Sequence, residues 1–291
     1  MRSEDFYKFV AERQRIRLRK ESGAPMPWTD DEILRTYKFT NVFREYDWTS
    51  AQLIKNFYEP YSDAPLADVL MNAALFRYFG TFEFAEAVGW NTYDRFDFDY
   101  IRETARERLL RGERVFTGAY VITNQGIPDR KENVVVNIFL KGIHAAIPDL
   151  CREVQKTRSW KSVVQMMSHV PGFGGTGFMA KEILLDTTYT RFWGGYVKNG
   201  RTVPGDWWSW TPVGPGGRRG AARVAERPRL GEDASLKVIM DLYNDQDRYW
   251  PSATWGQLCP HDVQFQLCEF DKYERVRLGE GKPRNKYRPR S

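Results

Sequence analysis

The chain is 291 residues long, 42% hydrophobic and 28% charged, which allows one large globular domain or two small ones with a sizeable buried core. Its formal charge of +6 favours partners that carry phosphate, and its 15% aromatic content supplies rings that fill cores or stack on bases. Three cysteines, Cys151, Cys259 and Cys268, lack C-x-x-C spacing and are too few for a four-cysteine cluster, so no metal site is assigned and a reducing compartment fits. The start Met1-Arg2-Ser3-Glu4-Asp5 has no apolar signal-peptide stretch, and no run of about 18 apolar residues stands out. The expectation is a cytoplasmic protein without a membrane partner, in the host cytoplasm if virus-encoded.

Residues 4–20 read as a charged helix with Phe6, Phe9 and Val10 as apolar contacts. Arg13, Arg15, Arg17, Arg19 and Lys20 make its second half basic, a candidate phosphate-facing surface. After the breaker Gly23–Pro27, Thr29 followed by Glu32 has capping-box spacing for a second helix. Pro65 opens another, with Leu66, Val69, Leu70 and Ala73 buried and Gly80 at its end. Residues 98–111 form a helix stopped by Gly112, and 116–124 read as a short strand pair or an irregular segment. Helix returns over 134–156, broken at Pro148, and Ser159 caps a helix through Met167. A Gly/Pro-rich loop is expected over 194–220, then helices over 235–249 and 261–275. Lys282, Arg284, Lys286, Arg288 and Arg290 make 280–291 a basic tail. The reading is one mainly α domain over 1–291, in one or two lobes, with a few short strands or irregular segments.

The most informative local motif is Pro171-Gly172-Phe173-Gly174-Gly175-Thr176-Gly177, set between helices predicted over 159–169 and 177–185. A tight glycine turn between two helices is a helix–hairpin–helix arrangement. Glycines let the backbone approach a phosphate, and the following helix start offers free N–H groups to it. Gly172, Gly174, Gly175, Thr176 and Gly177 are therefore the candidate DNA-backbone contacts, positioning the protein without reading sequence. The motif resembles the hairpin of helix–hairpin–helix DNA glycosylases, and Asp186-Thr187-Thr188 resembles the segment carrying their catalytic aspartate. The spacing of twelve positions from Gly174 to Asp186 is shorter than in that family. Thr176 stands where its lyases carry a lysine, which disfavours Schiff-base chemistry. There is no G-x-x-x-x-G-K-[ST], so no P-loop kinase is present, although Gly214-Pro215-Gly216-Gly217-Arg218-Arg219 could hold a phosphate.

A wider resemblance covers nearly the whole chain. Trp28–Leu34 and Tyr37-Lys38-Phe39-Thr40-Asn41-Val42-Phe43-Arg44-Glu45-Tyr46-Asp47 resemble the N-terminal signature of a DNA-hypermodification family. Its members are the alpha-glutamyl/putrescinyl thymine pyrophosphorylases and the helical domains associated with 5-hydroxymethyluracil DNA kinases. Phe116–Tyr120, Gly214-Pro215-Gly216 and Leu267-Cys268-Glu269-Phe270-Asp271-Lys272-Tyr273 are similar to its later blocks.

The resemblance implies a mainly α, glycosylase-like fold and a base-modifying transferase. A DNA base kinase would pyrophosphorylate 5-hydroxymethyluracil in double-stranded DNA, and this chain would displace the pyrophosphate with an amine donor, an amino acid or a polyamine. Base flipping would present the reacting carbon. Departure of pyrophosphate calls for cations. Lys38, Lys181, Arg191 and Arg218, with Asn41, are the candidate substrate contacts, and Arg44 is the strongest cation because Asn41, Arg44 and Asp47 recur at i, i+3 spacing. The amine must lose a proton, for which Asp186 is the first candidate base and Asp47 the second. A divalent metal such as magnesium is the cofactor that pyrophosphate chemistry would accommodate. His144, His169 and His261 sit in no acid/base pattern and read as structural. Two alternatives stay open: a monofunctional glycosylase using Asp186, and a non-catalytic DNA-binding partner of the kinase.

Overall fold

The computed structural model describes residues 1–173, 177–194, 197–198, 201–283 and 285–287. The described residues are mainly helical. In chain order the α-helices are α1 (Ser3–Glu21), α2 (Glu32–Thr36), α3 (Trp48–Leu53), α4 (Leu66–Phe79), α5 (Phe82–Val88), α6 (Phe98–Leu110), α7 (Lys131–Val134), α8 (Lys141–Thr157), α9 (Trp160–Met167) and α10 (Phe178–Thr187). They continue with α11 (Gly214–Val224), α12 (Glu232–Asp245), α13 (Ser252–Trp255) and α14 (Pro260–Arg277). The sole described strand pair joins β1 (Val197–Lys198) to β2 (Arg201–Thr202), antiparallel. The 116–124 segment is irregular. The chain forms two compact units, Met1–Asp47 with Trp208–Ser291, and Trp48–Trp207.

The first unit is organised around α14. Its N-terminus is closed by Asp262, whose Oδ2 accepts the Cys259 N–H at 2.9 Å, with Pro260 where no amide donor is needed. Phe6 and Val10 of α1, Ile239 and Leu242 of α12, and Val263, Leu267 and Phe270 of α14 build one core with Trp250. The residues expected to lie in a loop, Gly214–Gly220, are instead the first two turns of α11. Their glycines serve packing rather than turning. A Cβ on Gly220 would lie 2.1 Å from the carbonyl oxygen of Leu267, so α11 rests directly on the α14 backbone. A second correction concerns α2. Asp31 caps it, accepting the Leu34 N–H at 3.0 Å, while the expected cap Thr29 accepts from the Asp31 N–H at 3.2 Å.

Within the basic half of α1, only Arg13 departs from the expected exposed surface. Arg13 is buried, while Arg15 and Arg19 reach Glu12 and Arg17 reaches Glu21. In the basic tail, Lys286 bridges to Tyr37 and the Tyr287 N–H donates to Thr36 O at 2.9 Å, so this stretch runs along the 36–38 segment. Arg284, Arg288 and Arg290 lie outside the described residues.

The second unit is built around α4, whose residues from Asp68 to Phe79 are all buried. Two of its polar side chains tie it to the following loop. Asp68 Oδ1 accepts the Tyr93 N–H at 2.7 Å, and Asn72 exchanges two hydrogen bonds with the Asn91 backbone. Gly80 closes the helix in the left-handed region, φ +72°, and its N–H donates to Phe76 O at 2.7 Å.

Helices α7 and α8 run together through a π-helical segment, Val135–Leu140, as one 27-residue helix Lys131–Thr157, about 40 Å long. Pro148 does not break it as expected. The missing amide leaves the His144 carbonyl free, and the Tyr93 hydroxyl donates to it at 3.3 Å while His144 Nε2 meets Tyr93 O at 3.1 Å. This helix is long and apolar enough to cross a membrane by length and composition, unlike the sequence expectation, and its stripe of Val135, Phe139, Ile143, Ile147, Leu150 and Val154 is buried within the unit.

The two helices on either side of the glycine-rich segment 171–177 in sequence are α9 and α10. Ser159 caps α9 as expected, and Asp206 adds a second cap, accepting from the N–H groups of Trp160 (2.7 Å) and Lys161 (3.0 Å). Gly174, Gly175 and Thr176 lie outside the described residues. Gly172 is buried with φ +99°, and a Cβ there would strike the Phe139 ring at 2.5 Å. Its glycine is required by packing inside the unit as well as by backbone conformation. Gly177, also buried, adopts φ +68° at the start of α10.

Candidate functional site

In the first unit, the segment after α2 and one face of α14 bring together residues far apart in sequence. Asn41, Arg44 and Asp47 meet as their spacing suggested, though not on an α-helix. Arg44–Tyr46 is a single 3-10 turn, and the contacts are made across it. Asp47 Oδ1 accepts from the Asn41 backbone N–H at 2.8 Å and from its Nδ2 at 3.2 Å, and Asp47 Oδ2 lies 3.2 Å from Arg44 Nε. The Arg44 guanidinium covers the Phe265 ring at 4.7 Å. Phe265 belongs to the α14 stripe His261, Phe265, Glu269, Lys272, whose i, i+4 and i+3 steps keep it on one side of the helix.

Further along that stripe, Glu269 receives Lys272 Nζ at 2.6 Å and the Thr40 backbone N–H at 3.1 Å. Lys272 Nζ also donates to Lys38 O at 3.0 Å and sits 4.4 Å from the Phe39 ring centre. Lys38 thus enters through its backbone. Arg13 reaches in from α1 and donates to Gln266 Oε1 and to Thr40 O. Arg13, Gln266, Glu269 and Lys272 are the residues that sequence reasoning did not single out. Arg13 looked like one more exposed charge on a basic helix, and the i, i+3 step of Glu269 and Lys272 was the available signal for the pair.

Charge is densely arranged here. Burial pushes the Asp47 carboxyl above its ordinary value, with Arg44 and the Asn41 N–H working against it. Burial acts the same way on Glu269, but Lys272, Arg13 and the Thr40 N–H outweigh it and hold that carboxyl low. Burial lowers Lys272 against the pull of Glu269, and lowers Arg13 against Glu269 and Asp47. Two carboxylates therefore sit among three cations with opposite shifts, Asp47 raised and Glu269 lowered. The cluster is not sealed: the Arg44, Asp47, Glu269 and Lys272 side chains keep 12%, 21%, 13% and 21% of their surface.

At the start of α14, Cys259, His261 and Asp262 place ligand-type atoms within 4.8 Å of one another, the one such group among the described residues. Cys259 Sγ lies 2.9 Å from both His261 Nδ1 and Asp262 Oδ2, the geometry of a hydrogen-bonded helix cap. Arg218 is exposed on α11, and its neighbours Arg219 and Arg223 hold the buried Asp271 at 2.8 and 2.7 Å.

Asp186 and Lys181 belong to the second unit, and both are 1% exposed. Asp186 Oδ2 accepts from Arg77 Nε at 2.7 Å and from the Tyr58 hydroxyl at 2.9 Å, and Oδ1 accepts from a second Arg77 nitrogen. Burial pushes the Asp186 carboxyl up while Arg77 and Tyr58 work against it. Burial also weighs on Arg77, but Asp186 and Glu182 outweigh it and keep the guanidinium charged. Lys181 Nζ lies 3.7 Å from Glu182 Oε1. Arg191 is at the surface, 2.9 Å from Asp63. Asp186 is thus a carboxylate enclosed by an ion pair, whereas Asp47 stands in a partly open cluster. The missed partners, Arg77 and Tyr58, lie in stretches where apolar residues masked them.

The chain is thus a mainly α protein whose first unit gathers three cations and two carboxylates. Residues 2–283 match the family described as 5-hmdU DNA kinase, helical domain, and the chain belongs to that family. It is 31% identical over 251 residues to a protein of Bacillus phage SP10 named 5-hmdU DNA kinase, an alignment spanning 79% of this chain and 37% of the relative's length. No solved structure matches. Of the blocks that carry the family resemblance, Trp28–Leu34, Tyr37–Asp47, Gly214–Gly216 and Leu267–Tyr273 fall in the first unit, where α11 and α14 pack on each other, and Phe116–Tyr120 falls in the second.

Proposed function

We propose that this chain acts in thymine hypermodification of DNA, as a transferase that displaces pyrophosphate from 5-(pyrophosphoryloxymethyl)uracil with an amine, an amino acid or a polyamine. The observation that carries the reading is the meeting of Arg13, Arg44 and Lys272 with Asp47 and Glu269 in one partly open cluster. The amine nitrogen forms a bond to the methylene carbon, the carbon–oxygen bond breaks, and pyrophosphate leaves with the electron pair. Arg44 can grip that leaving group with two parallel hydrogen bonds, and Lys272 adds a point charge. Asp47, raised by burial, takes the proton the amine loses. It replaces Asp186 as first candidate because its side chain keeps 21% of its surface, against 1% for Asp186. A divalent cation such as magnesium, carried on the pyrophosphate oxygens, would share the developing charge. On a virus-encoded chain this work would be done in the host cytoplasm.

A second reading, a non-catalytic module that presents DNA to a kinase, is favoured by the relative's name and by the 37% of its length that aligns. The same enclosure of Asp186 weighs against a glycosylase. One experiment separates the three. DNA containing 5-hydroxymethyluracil is incubated with the chain, a DNA base kinase, nucleotide and an amine, and its nucleosides are read by mass spectrometry. A transferase yields an amine adduct that requires all components. A presenter changes only the amount of phosphorylated base, and a glycosylase releases free base.

A further inference from the structure

The second unit contains a pocket of about 220 Å³, lined by Tyr78, Gln125, Phe139, Gly172, Phe173 and Phe178 among others, with Val121 at 71% exposure on its lining. Three features suggest a ligand rather than a packing defect. Its walls are aromatic: Tyr78 lies 5.4 Å from Phe139 and 6.0 Å from Phe173, centre to centre. The Tyr78 hydroxyl has no hydrogen-bond partner although the residue is 1% exposed. Native proteins rarely leave a buried hydroxyl unpaired, so such an atom marks a missing partner. Thirdly, Gln125 Nε2 donates to Gly172 O at 2.9 Å. That bond holds the amide of Gln125 at the pocket.

We infer that this pocket receives one pyrimidine base lifted out of the DNA stack. The inference rests on the DNA reading proposed above; the pocket belongs to the second unit and the transfer cluster to the first, so it concerns capture of a base and not the transfer step. The cavity is below the roughly 300–1,000 Å³ of sites for drug-sized ligands, which suits a single ring rather than a whole nucleotide. Aromatic walls give the stacking that a base loses on leaving the duplex. Burial pushes the Tyr78 phenol up, so it stays a neutral donor suited to a ring carbonyl oxygen. The Gln125 Oε1 is an acceptor suited to a ring N–H. An apolar guest would leave the hydroxyl unpaired, and an anion would meet no cation on the lining.

The test uses the full chain and a DNA duplex with 2-aminopurine next to a thymine. A base that leaves the stack raises 2-aminopurine emission, and end-label anisotropy reports binding separately. Wild type is expected to bind and to raise the emission. Val121→Trp, a change at an exposed position, should keep the anisotropy curve and lose most of the emission rise. Tyr78→Phe should shift half-saturation of the emission by about three- to tenfold, the loss of one hydrogen bond, with no fall in melting temperature. A Tyr78→Phe protein that melts early assigns the hydroxyl a structural role and overturns the inference. So does binding without emission change, or emission unaltered in both variants, while the DNA reading survives. Absence of any DNA binding overturns that reading and this one together.

Discussion

Arg77 holds both oxygens of Asp186 inside the second unit, through two of its nitrogens, while Tyr58 donates to one of the same oxygens. A carboxylate so enclosed contributes to the fold before anything else. Removing one partner of a buried ion pair leaves the other charge unpaired, which typically costs about 3–5 kcal/mol. Asp186→Asn is therefore expected to lower the melting temperature sharply and to lose activity in proportion to unfolding. Thermal melts monitored by circular dichroism check this. A variant that melts like wild type yet has no turnover would return Asp186 to the catalytic role read from its neighbourhood in sequence.

Arg44 makes the opposite prediction. It is tied to Asp47 and lies on Phe265, and its side chain keeps 12% of its surface. Arg44→Lys keeps the charge but loses the planar fork and the stacking. The expected outcome is a loss of amine transfer of at least about tenfold, alongside a melting-temperature drop of only a few degrees; one such interaction is worth about 1–2 kcal/mol. Unchanged transfer in Arg44→Lys, measured by nucleoside mass spectrometry, removes this residue from the site.

The contact of α11 with α14 gives a structural prediction. Gly220→Ala places a methyl 2.1 Å from the Leu267 carbonyl, whereas a Cβ on Gly231 would meet nothing within 4 Å. Overpacking against backbone typically costs about 1–3 kcal/mol. Gly220→Ala should lower the denaturation midpoint and Gly231→Ala should leave it nearly unchanged. Equal midpoints for the two would show that the helices separate without cost.

Acid should weaken the first unit through Glu269 and Glu274. Burial tends to raise both carboxyls. Lys272 and Arg13 at Glu269, and Arg277 and Arg2 at Glu274, reverse that and hold them below their ordinary value. A depressed folded value means stability that is fully present above the unfolded value, about 4.3, and is lost as pH falls through the folded one. The melting temperature is expected to decline as pH drops below about 4. Glu274→Gln should start lower at neutral pH and show a shallower acid decline. A wild-type melting temperature flat from pH 5 to pH 3 would contradict the assignment.

Much was legible in the sequence because local chemistry sets it. Capping at Ser159, the stop at Gly80, the apolar periodicity of α1 and α6, and the mainly α fold follow from neighbours within a few residues. The step from Asn41 to Arg44 to Asp47 was visible for the same reason, although the contacts form across a 3-10 turn rather than along a helix. What distance in sequence hides, only the tertiary structure decided. Glycines at 214–220 look like a loop until α14 is seen lying against them, since glycine favours both turning and close approach. Pro148 looks like a break until Tyr93 takes up the carbonyl it frees. Arg13 and Asp186 look like a surface charge and a catalytic base, because burial is a property of the packed unit and not of the residue. Desolvation then decides what each charge can do: it binds Asp186 to Arg77, and it leaves Asp47 raised and within reach of solvent.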